Sequence, residues 1–201
     1  MDEIVLRAIA KWPDVPSVYN WLRLDRRGNW LVKGERIGNA GVVEFIGRNY
    51  EQDAQRRWYF QNGPQRVFVT LAYTPFVYRL EPAADDELHV RAHTGRLAAD
   101  LRAAWMDERG DILIDTELGV GLIMDRDLPL TLERLTGSSG KALDDATLNA
   151  LVGESPPVTP PDLRLRLGRQ PLVLQRIDSR QVPVRFGFDP DPRPASGEPE
   201  C

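Results

Sequence analysis

Arg57-Trp58-Tyr59-Phe60-Gln61-Asn62-Gly63-Pro64-Gln65-Arg66-Val67-Phe68-Val69-Thr70-Leu71-Ala72 holds two runs of aromatic and β-branched residues on either side of Asn-Gly-Pro. Such side chains suit a pleated, half-buried surface, and Gly and Pro mark the reversal between the runs. The spacing predicts a hairpin, with strands over 57–61 and 66–72 around Asn62-Gly63-Pro64-Gln65. A sheet that grows from local hairpins is antiparallel, because parallel strands need a crossover of a dozen residues or more.

The same pattern recurs outward from this hairpin. Val18–Leu24, the turn Asp25-Arg26-Arg27-Gly28 and a return at Trp30 predict another hairpin over 18–34. Asn39 can cap a helix carrying Val42, Val43, Phe45 and Ile46. Asp2–Lys11 places Ile4, Val5, Ala8 and Ile9 near helical spacing, and Pro13 and Pro16 end it. Downstream, Phe76–Leu80, Leu88–Ala92, Ile112–Ile114 and Leu118–Met124 read as strands, and Leu97–Met106 fits strand or helix. Asp144–Val152 reads as a helix. Leu163–Leu167, Leu172–Ile177 and Val182–Phe188 predict three further strands. The expected class is α+β: mostly antiparallel sheets, two or three short helices, and two small units packed together.

Charge divides the chain. The total is -4 with a pI near 5.3. Residues 1–80 hold 12 basic and 8 acidic side chains, 81–155 hold 7 and 16, and 156–201 hold 7 and 6. This asymmetry suggests an aromatic and arginine-rich α+β unit over 1–81 and an acidic β-rich unit over 82–188 with a helix near 144–152. The Pro-rich stretch 189–201 is expected to be a disordered tail. The acidic balance argues against a general nucleic-acid binder. No stretch approaches 18 apolar residues, so no membrane helix is expected. Met1-Asp2-Glu3 lacks the basic start of a secretory signal, so the cytoplasm is expected. Cys201 is the single cysteine, which excludes an intrachain disulfide and a Cys-x-x-Cys knuckle.

Three groups of residues could carry chemistry. His89 and His93, the only histidines, stand four apart. In a strand that is about 13 Å, too far for one ion, so no metal site is expected. Asp107, Glu108, Asp111, Asp115, Glu117, Asp125 and Asp127 could form a carboxylate site, or could cap wet hairpin turns. Neither Gly-x-Ser-x-Gly nor a phosphate-cradling Gly loop occurs, and no cofactor is expected. The third group is Arg56, Arg57, Trp58, Tyr59 and Arg66, with Tyr19, Trp21, Trp30 and Tyr50 nearby in sequence. Arginine interleaved with aromatics can grip a ligand. The same residues can equally build a Trp/Tyr core with Arg stems on its rim.

Trp12-Pro13-Asp14-Val15-Pro16, Leu24-Asp25-Arg26-Arg27-Gly28-Asn29-Trp30, and Asn49-Tyr50 followed by Trp58 to Val67 form a distinctive array. It resembles an uncharacterised proteobacterial family of domains of unknown function, well over residues 1–80 and more loosely beyond. The resemblance implies no activity, cofactor or catalytic residue. The expected function is a non-enzymatic binding or interaction module for a protein or small-molecule partner. The alternatives are an enzyme whose carboxylates and His89 or His93 converge only in the fold, and a single-stranded nucleic-acid binder using Arg56, Arg57, Trp58 and Tyr59.

Overall fold

The computed structural model describes residues 1–13, 15–84, 86–143 and 162–194. The chain forms two compact units. The first comprises Met1–Pro75, His93–Gly95 and the chain from Pro183 on, the second Phe76–Ala92 and Arg96–Val182.

In the first unit, α1 (Glu3–Lys11), β1 (Val18–Leu24), β2 (Trp30–Val32), β3 (Glu35–Arg36), α2 (Ala40–Arg48), β4 (Tyr50–Gln52), β5 (Trp58–Asn62) and β6 (Gln65–Leu71) follow in order. The predicted hairpins form. Asn62 pairs with Gln65 across the Gly63-Pro64 turn, where Gly63 takes φ 57°. Leu24 pairs with Trp30 across the Asp25–Gly28 turn. Asn39 caps α2 by accepting from the Val42 N–H. The six strands run β3-β2-β1-β6-β5-β4. All neighbours are antiparallel except β1 and β6, where the two hairpins meet side by side. A bulge between Val18 and Leu22 interrupts that parallel ladder, and Asn20 within it takes φ 62°. Asparagine tolerates this left-handed conformation better than most residues.

The second unit holds β7 (Phe76–Pro82), β8 (Leu88–Ala92), β9 (Leu97–Ala98), β10 (Leu101–Met106), β11 (Ile112–Thr116), β12 (Gly119–Ile123), α3 (Leu128–Glu133), β13 (Leu135–Gly137), β14 (Leu163–Leu165) and β15 (Leu172–Arg176). Its strand order is β13-β14-β15-β10-β11-β12-β7-β8-β9. Pairs β10/β15 and β12/β7 are parallel and the rest antiparallel. The fold is thus α+β with mostly antiparallel sheets, as the hairpin pattern predicts. The alternation of glycine in Gly119-Val120-Gly121 has a packing cause: both glycines lie under the rings of Phe76 and Tyr78 on β7.

Two local expectations need correction. Leu97–Met106 is two strands, β9 and β10, and not one element. Val182–Phe188 is not a strand, because Ser179–Gln181 forms a 3-10 turn that runs into α4 (Val182–Phe186). The Asp178 carboxylate caps that turn by accepting from the Arg180 N–H, and Pro183 fits the first helical turn, where its missing N–H costs nothing. Helix α3 escapes the sequence pattern for a related reason: Pro129 reads as a breaker but stands at its start. The helix expected at 144–152 lies outside the described residues. Of the stretch from 189 on, the Asp189 N–H donates to the Arg56 carbonyl and the Pro190 carbonyl accepts from the Leu71 N–H.

A basic face on the six-stranded sheet

Strand alternation sends the Trp58–Phe60 run in two directions. Trp58 and Phe60 face α2, where Phe45 meets Phe60 edge to face at 5.5 Å between ring centroids. On the same side Tyr50 lies 4.7 Å from Trp58 and 5.1 Å from Trp30, and His93 lies 5.0 Å from Trp30. The Tyr50 hydroxyl donates to the Pro75 carbonyl. This is the core of the unit. Burial pushes the Tyr50 phenol up and drives the His93 imidazole down to about 3, so His93 is neutral at any ordinary pH.

Arg57, Tyr59 and Arg66 lie on the opposite side. Tyr59 pairs with Phe68 across β5 and β6, and Phe68 stacks on Tyr19 at 4.6 Å. All three rings are buried. The Arg57 guanidinium stands 4.3 Å over Phe68 and donates to the Tyr19 hydroxyl at 3.2 Å. Its Nε–H donates to Asp53 Oδ2 at 2.9 Å, while Asp53 Oδ1 accepts from the Gln55 and Arg57 backbone N–H groups. Arg57 is therefore a clamp over a buried aromatic layer, with its charge compensated by Asp53. Arg66 is exposed and stands 4.8 Å over Tyr59. Burial raises the Tyr59 phenol, and the Arg66 charge opposes that rise. Arg56 sits apart at the β4–β5 turn, with φ 66° and its guanidinium against Gly187. The structure thus brings Arg57, Tyr59 and Arg66 together, sends Trp58 into the core, and leaves Arg56 at the turn.

The face continues across β1, β2 and β3 with residues absent from the sequence-predicted set. Past the Asn20 bulge, Trp21 and Arg23 point outward while Leu22 and Leu24 are buried. Arg23 pairs with Thr70 on one side and Leu31 on the other, and Leu31 pairs with Arg36. Trp21 is 45% exposed, and the Lys33 ammonium stands 4.0 Å from its ring centroid. Arg23, Lys33, Arg36 and Arg66 are all exposed, and none forms an ion pair with another described residue. The Trp21-Leu22-Arg23-Leu24 alternation is the signal that could have shown this face.

Several of the acidic residues of the second unit act as caps, and others pair with arginines, as Asp86 does with Arg134 and Arg166. Asp107 is buried and accepts from the Arg109 and Asp111 N–H groups. Glu117 accepts from the Ala99 and Asp100 N–H groups, and Asp127 from that of Leu80. Glu108 accepts from the Ser179 hydroxyl at 2.5 Å and from its N–H, which holds the carboxyl below its ordinary value. Among the described residues no group of three or more His, Cys, Asp or Glu side chains is placed to hold a metal ion. No helix among them is long and apolar enough to cross a membrane.

A family model described as "Protein of unknown function (DUF2946)" matches residues 1–193. The chain belongs to this family. The match extends well past the first 80 residues, where the sequence resemblance is strongest. No curated protein matches this DUF2946 member. Among solved structures, it is similar to a DUF1285 family protein from Silicibacter pomeroyi DSS-3, at 15% identity and a TM-score of 0.47, over 72% of this chain and 87% of that one. It is also similar to a DUF1285 family protein from Shewanella baltica OS155, at 15% identity and a TM-score of 0.41, over 58% of this chain and 90% of that one.

Proposed function

We propose that the chain is a non-enzymatic binding module and that its ligand surface is the basic face of the six-stranded sheet. One observation carries the reading. Trp21 stands exposed with the Lys33 ammonium over its ring, Arg23, Arg36 and Arg66 stand exposed on the sheet, and none of these cations is ion-paired with a described residue. Cations without counter-charges project their field outward and attract an anionic partner. Tryptophan and arginine are also the residue types that most often anchor interfaces. Arg57, Asp53 and the buried Tyr19, Tyr59 and Phe68 form the floor that holds Arg66 in place. Preorganisation of this kind lowers the entropy lost on binding.

Poly-L-glutamate is a suitable first probe. Calorimetric titration is expected to show binding that weakens with added salt, since exposed charges are screened. The triple variant Arg23→Glu, Arg36→Glu, Arg66→Glu, with its fold checked by circular dichroism, is expected to lose that binding. Equal binding by the variant refutes the reading.

A further inference from the structure

The geometry points to the open edge of β3 as a docking site for an extended peptide, which adds to the six-stranded sheet as a further antiparallel strand with an acidic residue opposite Arg36 and apolar residues on either side of it. The inference rests on the proposed binding face and adds the class of ligand and the edge by which it enters. β3 ends the sheet, and no described strand pairs with its outer side. The phase of the ladder shows which groups point there. The Ile37 N–H donates to the Trp30 carbonyl, which makes these two residues a hydrogen-bonded pair. Such pairs alternate with non-hydrogen-bonded ones along an antiparallel ladder, so Leu31 and Arg36, one step back, are of the second kind. The Arg36 N–H and C=O therefore point away from β2. Residues 32–36 are all exposed, and a Cβ added at Gly34 or Gly38 would meet nothing within 4 Å, which leaves room for a neighbour on both sides of Arg36. An edge with free backbone groups is a template for strand addition.

Charge selects the occupant. Residues paired across neighbouring strands point to the same face, so a residue added opposite Arg36 lies on the basic face. Arg36 has no ion-pair partner among the described residues, and Arg23 stands in the same cross-strand row, through Leu31. A carboxylate there meets the Arg36 guanidinium, whose fork matches it in a bidentate geometry. The two flanking residues of the peptide point to the other face. There an apolar side chain packs against half-buried Ile37, and a second acid would be repelled by Glu35. A second copy of the chain that pairs about Arg36 sets Arg36 against Arg36, and like charges directly opposite destabilise a sheet. Nucleic acid has no backbone N–H and C=O groups with which to continue the ladder.

The test is an NMR titration of the 15N-labelled full chain with the blocked peptide Thr-Val-Glu-Val-Thr. In the added strand its Glu exchanges both backbone hydrogen bonds with Arg36, so the Arg36 amide is expected to become protected from hydrogen exchange. N-methylation of that Glu keeps the charge and removes the donor, and is expected to weaken binding about tenfold. Thr-Val-Lys-Val-Thr is expected to bind more weakly than the Glu peptide, and Arg36→Glu, at an exposed site, to abolish that preference. Equal binding of the methylated peptide, an Arg36 amide that stays unprotected, or silence of the peptide while poly-L-glutamate binds overturns strand addition and leaves the basic-face reading standing. Equal binding of the Glu and Lys peptides overturns the acidic class. A free chain that sediments as a dimer with its Arg36 amide already protected overturns the peptide in favour of a second copy. Silence of the peptide and of poly-L-glutamate overturns the inference and the reading together.

Discussion

Replacing Gly121 by alanine tests the packing of the second unit directly. Gly121 lies opposite Phe76 in the parallel β12–β7 pair. A Cβ there would stand 3.0 Å from the Phe76 Cβ and, closer still, far inside van der Waals contact with Cδ2 and Cε2 of Tyr78. The Tyr78 ring has no room to withdraw. It is fully buried, and its hydroxyl is fixed at 2.8 Å from both Thr116 Oγ1 and the Gly119 carbonyl. Overpacking a dense core costs about 1–3 kcal/mol. Dragging the hydroxyl off one partner adds about 1 kcal/mol. Gly→Ala returns about 0.4–1 kcal/mol through the stiffer unfolded chain. The balance is a loss of about 1–3.6 kcal/mol. Hydrogen exchange localises it, since β7, β11 and β12 amides that open with this unit should exchange about 5- to 450-fold faster at about 1.36 kcal/mol per decade. A Tyr78→Phe background sharpens the experiment. Without the hydroxyl the ring can tilt, so Gly121→Ala should cost about 1 kcal/mol less there than in the wild type. A wild-type cost under about 0.5 kcal/mol, or equal costs in both backgrounds, refutes the reasoning.

Asp53→Ala should destabilise the first unit by about 2–3 kcal/mol in urea titrations. It strips the charge partner from Arg57, whose side chain is only 16% exposed, and removes the acceptor for two turn N–H groups. Asp53→Asn, which keeps an acceptor for the turn, should lose less. His93 makes the same unit sensitive to mild acid. Its folded-state pKa lies below the unfolded value, so its stability contribution is complete above about pH 6.5 and declines as pH falls toward 3. The slope is at most about 1.4 kcal/mol per pH unit. Between pH 6.5 and 5, above the range where carboxylates titrate, the urea midpoint should fall, and His93→Phe should flatten that fall. A pH-independent wild-type midpoint in this window disproves burial of a neutral imidazole.

The hairpins were legible because their information is local. Asn62–Gln65 and Asp25–Gly28 carry their own turn chemistry, and strand alternation follows from it. Asn39 announced α2 for the same reason. Elements whose identity depends on context were not legible. Pro129 reads as a breaker in isolation and Pro183 falls within an expected strand, yet each stands at the start of a helix, where no N–H is needed. At Gly119 and Gly121 the strand itself was legible, but the reason for glycine was not, because it lies in the rings of Phe76 and Tyr78 on a neighbouring strand. His93, five residues after the start of a strand in the second unit, sits in the aromatic core of the first unit, a neighbourhood that no local pattern encodes.

The candidate site illustrates how burial and pairing sort residues that composition groups together. Arg57 and Arg66 are nine residues apart and both stack on aromatics, so the sequence weighs them equally. Asp53 separates them physically. It ties Arg57 into a charge-compensated clamp, whereas Arg66 keeps its charge available to solvent. On β1 the Asn20 bulge does comparable work by rotating the strand between Tyr19, which is buried, and Trp21, which is not. A strand with one register would alternate Tyr19, Trp21 and Arg23 on one face without a change in depth. The displaced register instead leaves Trp21 standing beside Lys33 above the sheet. The functional signal therefore lies less in the density of Trp and Arg than in which of them the fold leaves without a counter-charge or a cover.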